Sequence, residues 1–258
     1  MTNVWHFIIL LSIMFYGCAS HSETIDENAP SMFSVSIPTV EEEAQQLVNV
    51  LNRYKWFMDN GYTISLPNTP LIETLKNKLL AGNSLTSLEE NQVREQFKNE
   101  IYRESDYQNA FTAIGNVLRT ADSQIPELRR YETAWHFFIP QRYNIRLTMY
   151  SPGGQYNPNN GDITILATRS LDRDRLLQTV LHEAIHIGIE NIIIQKFNVP
   201  HWTKERIVDQ FASRQFRSVL PNYWMQTGNV DTSIDVIFQQ ADALDNLPQR
   251  VEEFMKSQ

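Results

Sequence analysis

Cysteine is almost absent from this chain. The 258 residues contain a single cysteine, Cys18. One cysteine cannot form an internal disulfide, and its place near the N-terminus leaves the rest of the chain without a thiolate for metal binding or nucleophilic catalysis. The folded part of the protein must therefore be held together by its apolar core and by any metal that it binds.

Basic residues and long apolar segments are also scarce. Lys and Arg number 22 against 30 Asp and Glu, which gives a formal net charge of −8. No basic patch is visible in the sequence, and this argues against nucleic acid as a partner. An apolar run at residues 4–16 is thirteen residues long, too short to span a bilayer comfortably.

This apolar run predicts an export signal over residues 1–18. The run ends in Gly17-Cys18 and resembles the signal of a bacterial lipoprotein, in which the cysteine becomes the lipidated first residue of the mature chain. The resemblance implies lipidation of Cys18 and a membrane-anchored protein of the bacterial cell envelope, facing the periplasm or the exterior. Ordinary secretion and an uncleaved anchor are the alternatives. The polar residues 19–37 predict a flexible tether.

Hydrophobic periodicity divides the remaining chain into two regions. Residues 38–134 carry helical patterns, beginning with one over residues 39–59, and no chemical motif, which predicts a helical N-terminal lobe with a short strand at residues 62–66. In the second region, residues 135–258, two segments at 143–150 and 162–167 alternate like strands and precede a long apolar helix, and residues 234–243 predict a closing helix. The predicted class is α+β, with a small sheet and two functional helices forming the core of the second region.

The chemical signal lies in the motif His182-Glu183-Ala184-Ile185-His186. Residues four apart lie one above the other on a helix, so both imidazoles can reach a single metal ion while Glu183 sits beside the vacant coordination position. The helix is apolar nearly all round and therefore belongs in a core. Buried imidazoles and a buried carboxylate need partners, and coordination of one zinc ion supplies them. The alternative is a pair of structural core histidines, with Glu183 paired to an arginine.

A catalytic zinc site needs a third protein ligand as well as an open position for water. The metzincin pattern of a glycine and then a histidine after the motif is excluded, because those positions hold Ile189 and Ile192. Glu190 is excluded by distance, since a rise of 1.5 Å per residue places it about 12 Å along the axis from His182. The third ligand must come from further along the chain.

The segment Pro200-x-Trp202-x-x-Glu205 resembles the gluzincin metallopeptidases, in which a second helix after the motif helix bears a glutamate ligand. Arg206 stands where many of these families have glycine. The resemblance covers roughly residues 161–220 and implies a zincin-like core with Glu205 as the third zinc ligand. It also implies that Asp209 hydrogen-bonds a zinc histidine and fixes its orientation.

His201 is the competing third ligand. Glu205 is preferred because it shares one helix face with Asp209 by the four-residue rule. A tyrosine or histidine commonly hydrogen-bonds the oxyanion in zincins, and Tyr223, Tyr156 and His201 are the candidates for that role or for substrate contact. In the families that the chain resembles, the strand before the motif helix is the sheet edge along which an extended peptide lies. A purely structural hairpin is the alternative.

These features together predict an exported, lipid-anchored zinc metallopeptidase that acts on a peptide or protein substrate. His182, His186 and Glu205 hold one Zn²⁺, while Glu183 serves as the general base toward water and passes the proton to the leaving amine. Two other functions fit the same residues. One is a zinc-stabilised binding lipoprotein that turns over nothing, and the other is a zinc amidase that acts on a cell-wall component.

Overall fold

The computed structural model describes residues 31–168 and 171–258. The fold is mixed α+β, which confirms the predicted class. The predicted export signal with Cys18, and residues 19–30 of the predicted tether, lie outside the described residues. Within the described ranges no helix is both long enough and apolar enough to cross a membrane. The α-helices are α1 (Val40–Asn52), α2 (Tyr54–Asp59), α3 (Pro70–Leu80), α4 (Ser87–Gln96), α5 (Gln108–Asp122), α6 (Ile125–Trp135), α7 (Arg173–Ile189), α8 (His201–Gln215) and α9 (Leu247–Ser257).

The described chain opens with a strand of the sheet. β1 (Phe33–Ser36) pairs in parallel with β2 (Tyr143–Thr148). Phe33 is buried, and its ring stacks on Tyr143 with 4.6 Å between the ring centroids. Residues 33–36 therefore do not belong to a tether reaching residue 37, because apolar residues alternate with serines there and the strand buries Phe33.

The sheet has the order β1-β2-β4-β3, with β3 at Gly154–Asn157 and β4 at Asp162–Leu166. β4 pairs in parallel with β2, while β3 runs antiparallel to β4. The strand before the motif helix, β4, thus lies inside the sheet, so its prediction as the edge is wrong. The edge on that side of the sheet is β3. This strand lies in the turn-rich segment between the two predicted strands and has too few apolar residues to show an alternating pattern.

The main core surrounds the motif helix α7. This helix packs against α5, α8 and strands β3 and β4, and its side chains are buried from Leu176 to Ile189 except on the face of Gln178 and Thr179. Its N-terminus is capped by Asp172, whose carboxylate accepts a hydrogen bond from the Arg175 N–H at 3.0 Å. An all-round apolar helix needs neighbours on every side, and these four elements supply them.

A second, smaller core lies among α1, α3 and α4 and includes Leu47, Leu51, Ile72, Val93 and Phe97. The helices α5 and α6 pack instead in the main core with the sheet and the motif helix. The helical lobe therefore has its own core, but the division between the cores falls before α5 and differs from the predicted boundary at residue 134.

Glu43 of α1 connects the two cores. The residue is 1% exposed. Its Oε1 accepts hydrogen bonds from the Tyr107 hydroxyl at 2.9 Å, the Thr148 hydroxyl at 3.0 Å and the Met149 N–H at 2.7 Å. Burial raises the pKa of this carboxyl, whereas the three hydrogen bonds lower it. The carboxyl thus joins α1 to the segment before α5 and to the end of β2.

Several predicted elements differ in detail. The helix predicted over residues 39–59 is interrupted at Arg53 and forms α1 and α2. Residues 62–66, predicted as a short strand, have no strand partner in the described sheet. The helix predicted over 234–243 is a 3₁₀ segment, Thr232–Phe238, followed by turns. The last two differences concern short elements, where periodicity is measured over too few residues to decide.

Gly188 provides a test of how tightly the motif helix is packed. A methyl group at this position would overlap the ring of Phe137, whereas a methyl group at Gly115 of α5 would meet nothing within 4 Å. We expect Gly188→Ala to lower the free energy of unfolding by about 1–3 kcal/mol through overpacking. Gly115→Ala is the matched control and should stabilise by up to about 1 kcal/mol through helix propensity. Thermal or urea unfolding measures both, and equal effects of the two substitutions would contradict the packing described here.

Candidate metal centre

Helices α7 and α8 bring three donor atoms together. His182 and His186 lie one turn apart on α7, and Glu205 lies one turn into α8. The His182 Nε2 and His186 Nε2 atoms are 3.1 Å apart. The Glu205 Oε2 atom is 3.3 Å from His186 Nε2 and 3.5 Å from His182 Nε2. All three side chains are buried, and this group could hold one metal ion.

The triangle of donor atoms has the size that a tetrahedral ion requires. Ligand bonds of about 2.0–2.2 Å in a tetrahedron separate the donor atoms by about 3.3–3.6 Å. Two sides of the triangle, 3.3 and 3.5 Å, lie in that range, and the third, 3.1 Å, is slightly shorter. Two imidazole nitrogens and one carboxylate oxygen are also the donor types that such sites use. The residues therefore fit a bound ion without rearrangement of the helices.

Burial and hydrogen bonding give the donors different proton affinities. At His182, burial lowers the pKa, but hydrogen bonds to Asp209 and Glu205 outweigh it and raise the pKa to about 10. At His186, burial prevails and lowers the pKa to about 4. Burial raises the pKa of Glu205, but attraction to His186 and hydrogen bonds from both histidines hold it well below its ordinary range. Binding of a cation requires the coordinating nitrogens to be unprotonated, so a metal ion competes with protons at this group.

Asp209 and Tyr223 lie beside the Nδ1 atom of His182, on the side of the ring opposite to the donor triangle. The Tyr223 hydroxyl lies 2.8 Å from His182 Nδ1 and donates to Asp209 Oδ1 at 3.0 Å. Asp209 is fully buried, and its Oδ1 atom is 3.4 Å from His182 Nδ1. Asp209 thus lies beside the histidine, and the Tyr223 hydroxyl bridges the two side chains. The Tyr223 hydroxyl faces Nδ1, on the side of the ring away from the donor triangle, which does not fit the predicted oxyanion role.

Tyr156 of β3 supports the other histidine. Its ring stacks on His186 with 4.6 Å between centroids and 7° between the planes. Its hydroxyl donates to Glu190 at 2.6 Å and accepts from Lys204 Nζ at 3.1 Å. Glu190 therefore acts as the partner of Tyr156 and lies outside the donor triangle. The contacts of Tyr156 orient the ring of His186.

His201, the competing ligand, lies beside the triangle and is not part of it. Its Nδ1 atom is 3.9 Å from Glu205 Oε1, while its Nε2 atom is 2.5 Å from the hydroxyl of Tyr62. Tyr62 comes from the chain after α2, so this contact joins the N-terminal lobe to the start of α8. Burial and the charges of Glu205 and Glu183 raise the pKa of Tyr62, which therefore stays protonated at neutral pH.

The donor triangle opens into a cleft of about 1000 Å³. One wall is aromatic and combines residues of both lobes. We call this group the aromatic wall; it consists of Trp56, Phe57, Tyr62, His201 and Trp202. At another part of the lining, the guanidinium of Arg175 lies 3.6 Å from the ring centroid of Trp224. The cleft thus combines the aromatic wall with the polar side chains of the donor triangle.

Glu183 reaches the same cleft between α7 and the edge strand. Its Oε1 atom occupies the space that a Cβ atom at Gly154 would take. Gly154 therefore lets the edge strand β3 approach the carboxylate closely, a use of glycine that no periodic pattern reveals. The arrangement places a candidate base and an edge strand on one side of the cleft.

Tyr62 and Gln226 are site residues that the sequence analysis missed. Both lie in irregular segments, and neither belongs to a motif. The side-chain amide of Gln226 donates to Glu205 Oε2 at 2.8 Å, and its backbone N–H donates to Asp209 Oδ2 at 2.6 Å. Tyr62 follows α2, and nothing in the sequence connects it with His201.

Comparison with protein-family models, curated proteins and solved structures finds no match to this chain. A function for this chain therefore has to be inferred from its residues and their geometry.

The geometry separates the two candidate third ligands. We expect Glu205→Ala to lose more than the roughly 10- to 100-fold in metal affinity that removal of an outer-shell partner typically costs. His201→Ala should still bind about one ion per chain, because its imidazole lies outside the donor triangle. Metal analysis after dialysis against a buffered zinc solution gives the stoichiometry, with circular dichroism as the control for folding. Retention of metal by the Glu205 variant and its loss from the His201 variant would reject this assignment.

Proposed function

We propose that the protein is a zinc metallopeptidase with a zincin-like core, similar to the gluzincins, that is exported and anchored by a lipid on Cys18. The observation that carries the proposal is the tetrahedral spacing of His182, His186 and Glu205 beside the carboxylate of Glu183. Two histidines and a glutamate form the ligand set of zinc peptidases, in which the fourth position takes water or substrate. The cleft gives an extended substrate access to that position.

Zinc, when bound to these three residues, lowers the pKa of water toward 7 and polarises a carbonyl group. Glu183 takes a proton from the attacking water and delivers it to the nitrogen of the leaving amine. Asp209 and Tyr223 hold the His182 ring, and Tyr156 holds the His186 ring, so that both imidazoles keep their orientation. Lys204 lies 3.3 Å from Glu205 Oε1 and offsets part of the negative charge of the site.

The peptide is proposed to lie along β3. This strand bonds β4 on one side, and no described strand pairs with its other side. Gly154, Gln155 and Tyr156 of β3 line the cleft, so an extended backbone can add to this edge by hydrogen bonding. The scissile carbonyl would then face Glu183, and an apolar side chain of the substrate would contact the aromatic wall.

Tyr62 is proposed to stabilise the oxyanion. Its hydroxyl belongs to the cleft lining and is protonated at neutral pH. If His201 carries its proton on Nε2, it donates to the Tyr62 oxygen and leaves the Tyr62 O–H available to the substrate. A preorganised donor aimed at developing negative charge is a common source of rate enhancement.

A binding lipoprotein without turnover is the second candidate. The contact of the Gln226 amide with Glu205 Oε2 favours this reading, because a side chain that covers the donor triangle hinders access of water. Measurement of turnover decides between the two functions.

The role of Glu183 is tested by Glu183→Gln. The amide keeps the size of the side chain but cannot accept the proton of water, so we expect turnover to fall by at least about 10²- to 10⁴-fold. Zinc content and the unfolding temperature should remain near those of the wild type. The assay uses internally quenched peptides with aromatic and aliphatic residues on the zinc-loaded proteins.

The exposed Glu127→Gln on α6 is the matched control for the same chemical change. It should cleave at the wild-type rate. Wild-type turnover by the Glu183 variant would show that this residue is not the base. Absence of turnover in the zinc-loaded wild type across the peptide set would favour the binding lipoprotein.

Localisation is tested by Cys18→Ser in a bacterial host. The thioether that carries the lipid cannot form on serine, so we expect the variant to move from the membrane pellet to the soluble fraction or to keep its export signal uncleaved. Ser20→Ala is the control and should behave as the wild type. Membrane association and processing that are the same in all three proteins would exclude the lipid anchor.

A further inference from the structure

The side chain of Gln226 contacts two of the three donor atoms of the triangle. Its Nε2 atom is 2.8 Å from Glu205 Oε2 and 3.4 Å from His182 Nε2. These are the same two atoms that form one side of the triangle. The hydrogen-bonding contacts of the carboxamide go to two of the proposed ligands.

Two of its distances bring the carboxamide near the fourth corner of a tetrahedron. In such a site each donor atom lies about 3.3–3.6 Å from each of the other three. The Gln226 carboxamide meets that separation from His182 and lies somewhat closer to Glu205. Its nitrogen is not a metal ligand, but a half-turn about the last side-chain bond exchanges the nitrogen for the oxygen Oε1. An amide oxygen is a hard donor that zinc accepts alongside imidazole and carboxylate.

The segment that carries Gln226 is attached to both functional helices. The Gln226 N–H donates to Asp209 Oδ2 of α8 at 2.6 Å. Trp224 exchanges two hydrogen bonds with Gln178 of α7, from its N–H at 2.8 Å and to its carbonyl oxygen at 2.7 Å. Arg175 stacks on the Trp224 ring. These contacts hold the carboxamide near the triangle, which lowers the entropic cost of ligation.

We propose that Gln226 is a fourth protein ligand that occupies the open coordination position through Oε1 in the resting protein. Water or a substrate carbonyl then binds only when the carboxamide withdraws, and one oxygen ligand replaces another with no change in charge. The proposal depends on the metal centre and not on peptide hydrolysis. It accommodates both candidate functions, since a site closed in this way turns over only substrates that displace Gln226.

The test follows binding of acetohydroxamate, a small chelating probe, to the cobalt-substituted full-length protein by visible absorption. Gln226→Ala removes the oxygen that competes with the probe, so acetohydroxamate binding should tighten by about tenfold or more. That factor corresponds to about 1.4 kcal/mol of competition. Gln226→Glu supplies a charged oxygen and should weaken probe binding by a similar factor. Gln249→Ala on α9 is the matched control, since Gln249 is exposed, hydrogen-bonds Glu253 and is not among the residues that line the cleft.

Gln226→Ala should also change the cobalt spectrum before any probe is added, as water replaces an amide oxygen. The same affinity and spectrum in Gln226→Ala as in the wild type, with one cobalt bound per chain, would overturn the ligand role alone. Loss of cobalt from Gln226→Ala without tighter probe binding would assign Gln226 to positioning Glu205, which also overturns the proposal. Failure of the wild type to bind cobalt or zinc at all would overturn both this proposal and the proposed function.

Discussion

The interaction on which the structure depends is the convergence of two imidazoles and a carboxylate inside an apolar core. Burying these groups separately would be costly, because each would lose its hydration without a partner. The structure places them within 3.5 Å of one another and surrounds them with Asp209, Tyr223, Tyr156 and Lys204. Glu183, Glu205 and Asp209 add negative charge to this region, so a divalent cation is its natural complement.

The requirement extends beyond the ligands to the elements that hold them. Helix α8 carries Glu205 and Asp209 toward the site on one face and is fixed on another by Arg206. The guanidinium of Arg206 pairs with Asp235 at 2.7 and 2.5 Å, and Gln210 donates to the same carboxylate at 2.9 Å. The pair attaches α8 to the 3₁₀ segment Thr232–Phe238 that follows it.

The sequence predicted the parts of the site that depend on local geometry. The four-residue spacing of His182 and His186 and that of Glu205 and Asp209 determine which side chains share a helix face, whatever the surrounding fold. Tyr62 and Gln226 could not be predicted, because their positions depend on how irregular segments cross the surface of distant helices.

The sheet shows the same limit. β2 and β4 alternate clearly, whereas β1 and β3 are strands of 4 residues each that become strands only by pairing with a neighbour. Their sequences are compatible with a coil, and the partners that select the extended form are more than a hundred residues away for β1 and in the adjacent strand for β3. For this reason the tether prediction is wrong at residues 33–36, and the prediction of β4 as the edge strand is wrong as well.

The buried carboxyl of Glu43 has a mechanical consequence. The aromatic wall combines Trp56, Phe57 and Tyr62, from α2 and the segment after it, with His201 and Trp202 at the start of α8. The width of the cleft therefore depends on how the lobe that carries α1 and α2 is joined to the main core. Glu43 connects them through three hydrogen bonds in a region that water does not reach, and bending at this junction would expose an unsatisfied carboxyl and three donors. Such a junction opposes hinge motion, so we expect the width of the cleft to change little. A ligand would then have to match that width, and any adjustment would be left to the side chains that line the cleft.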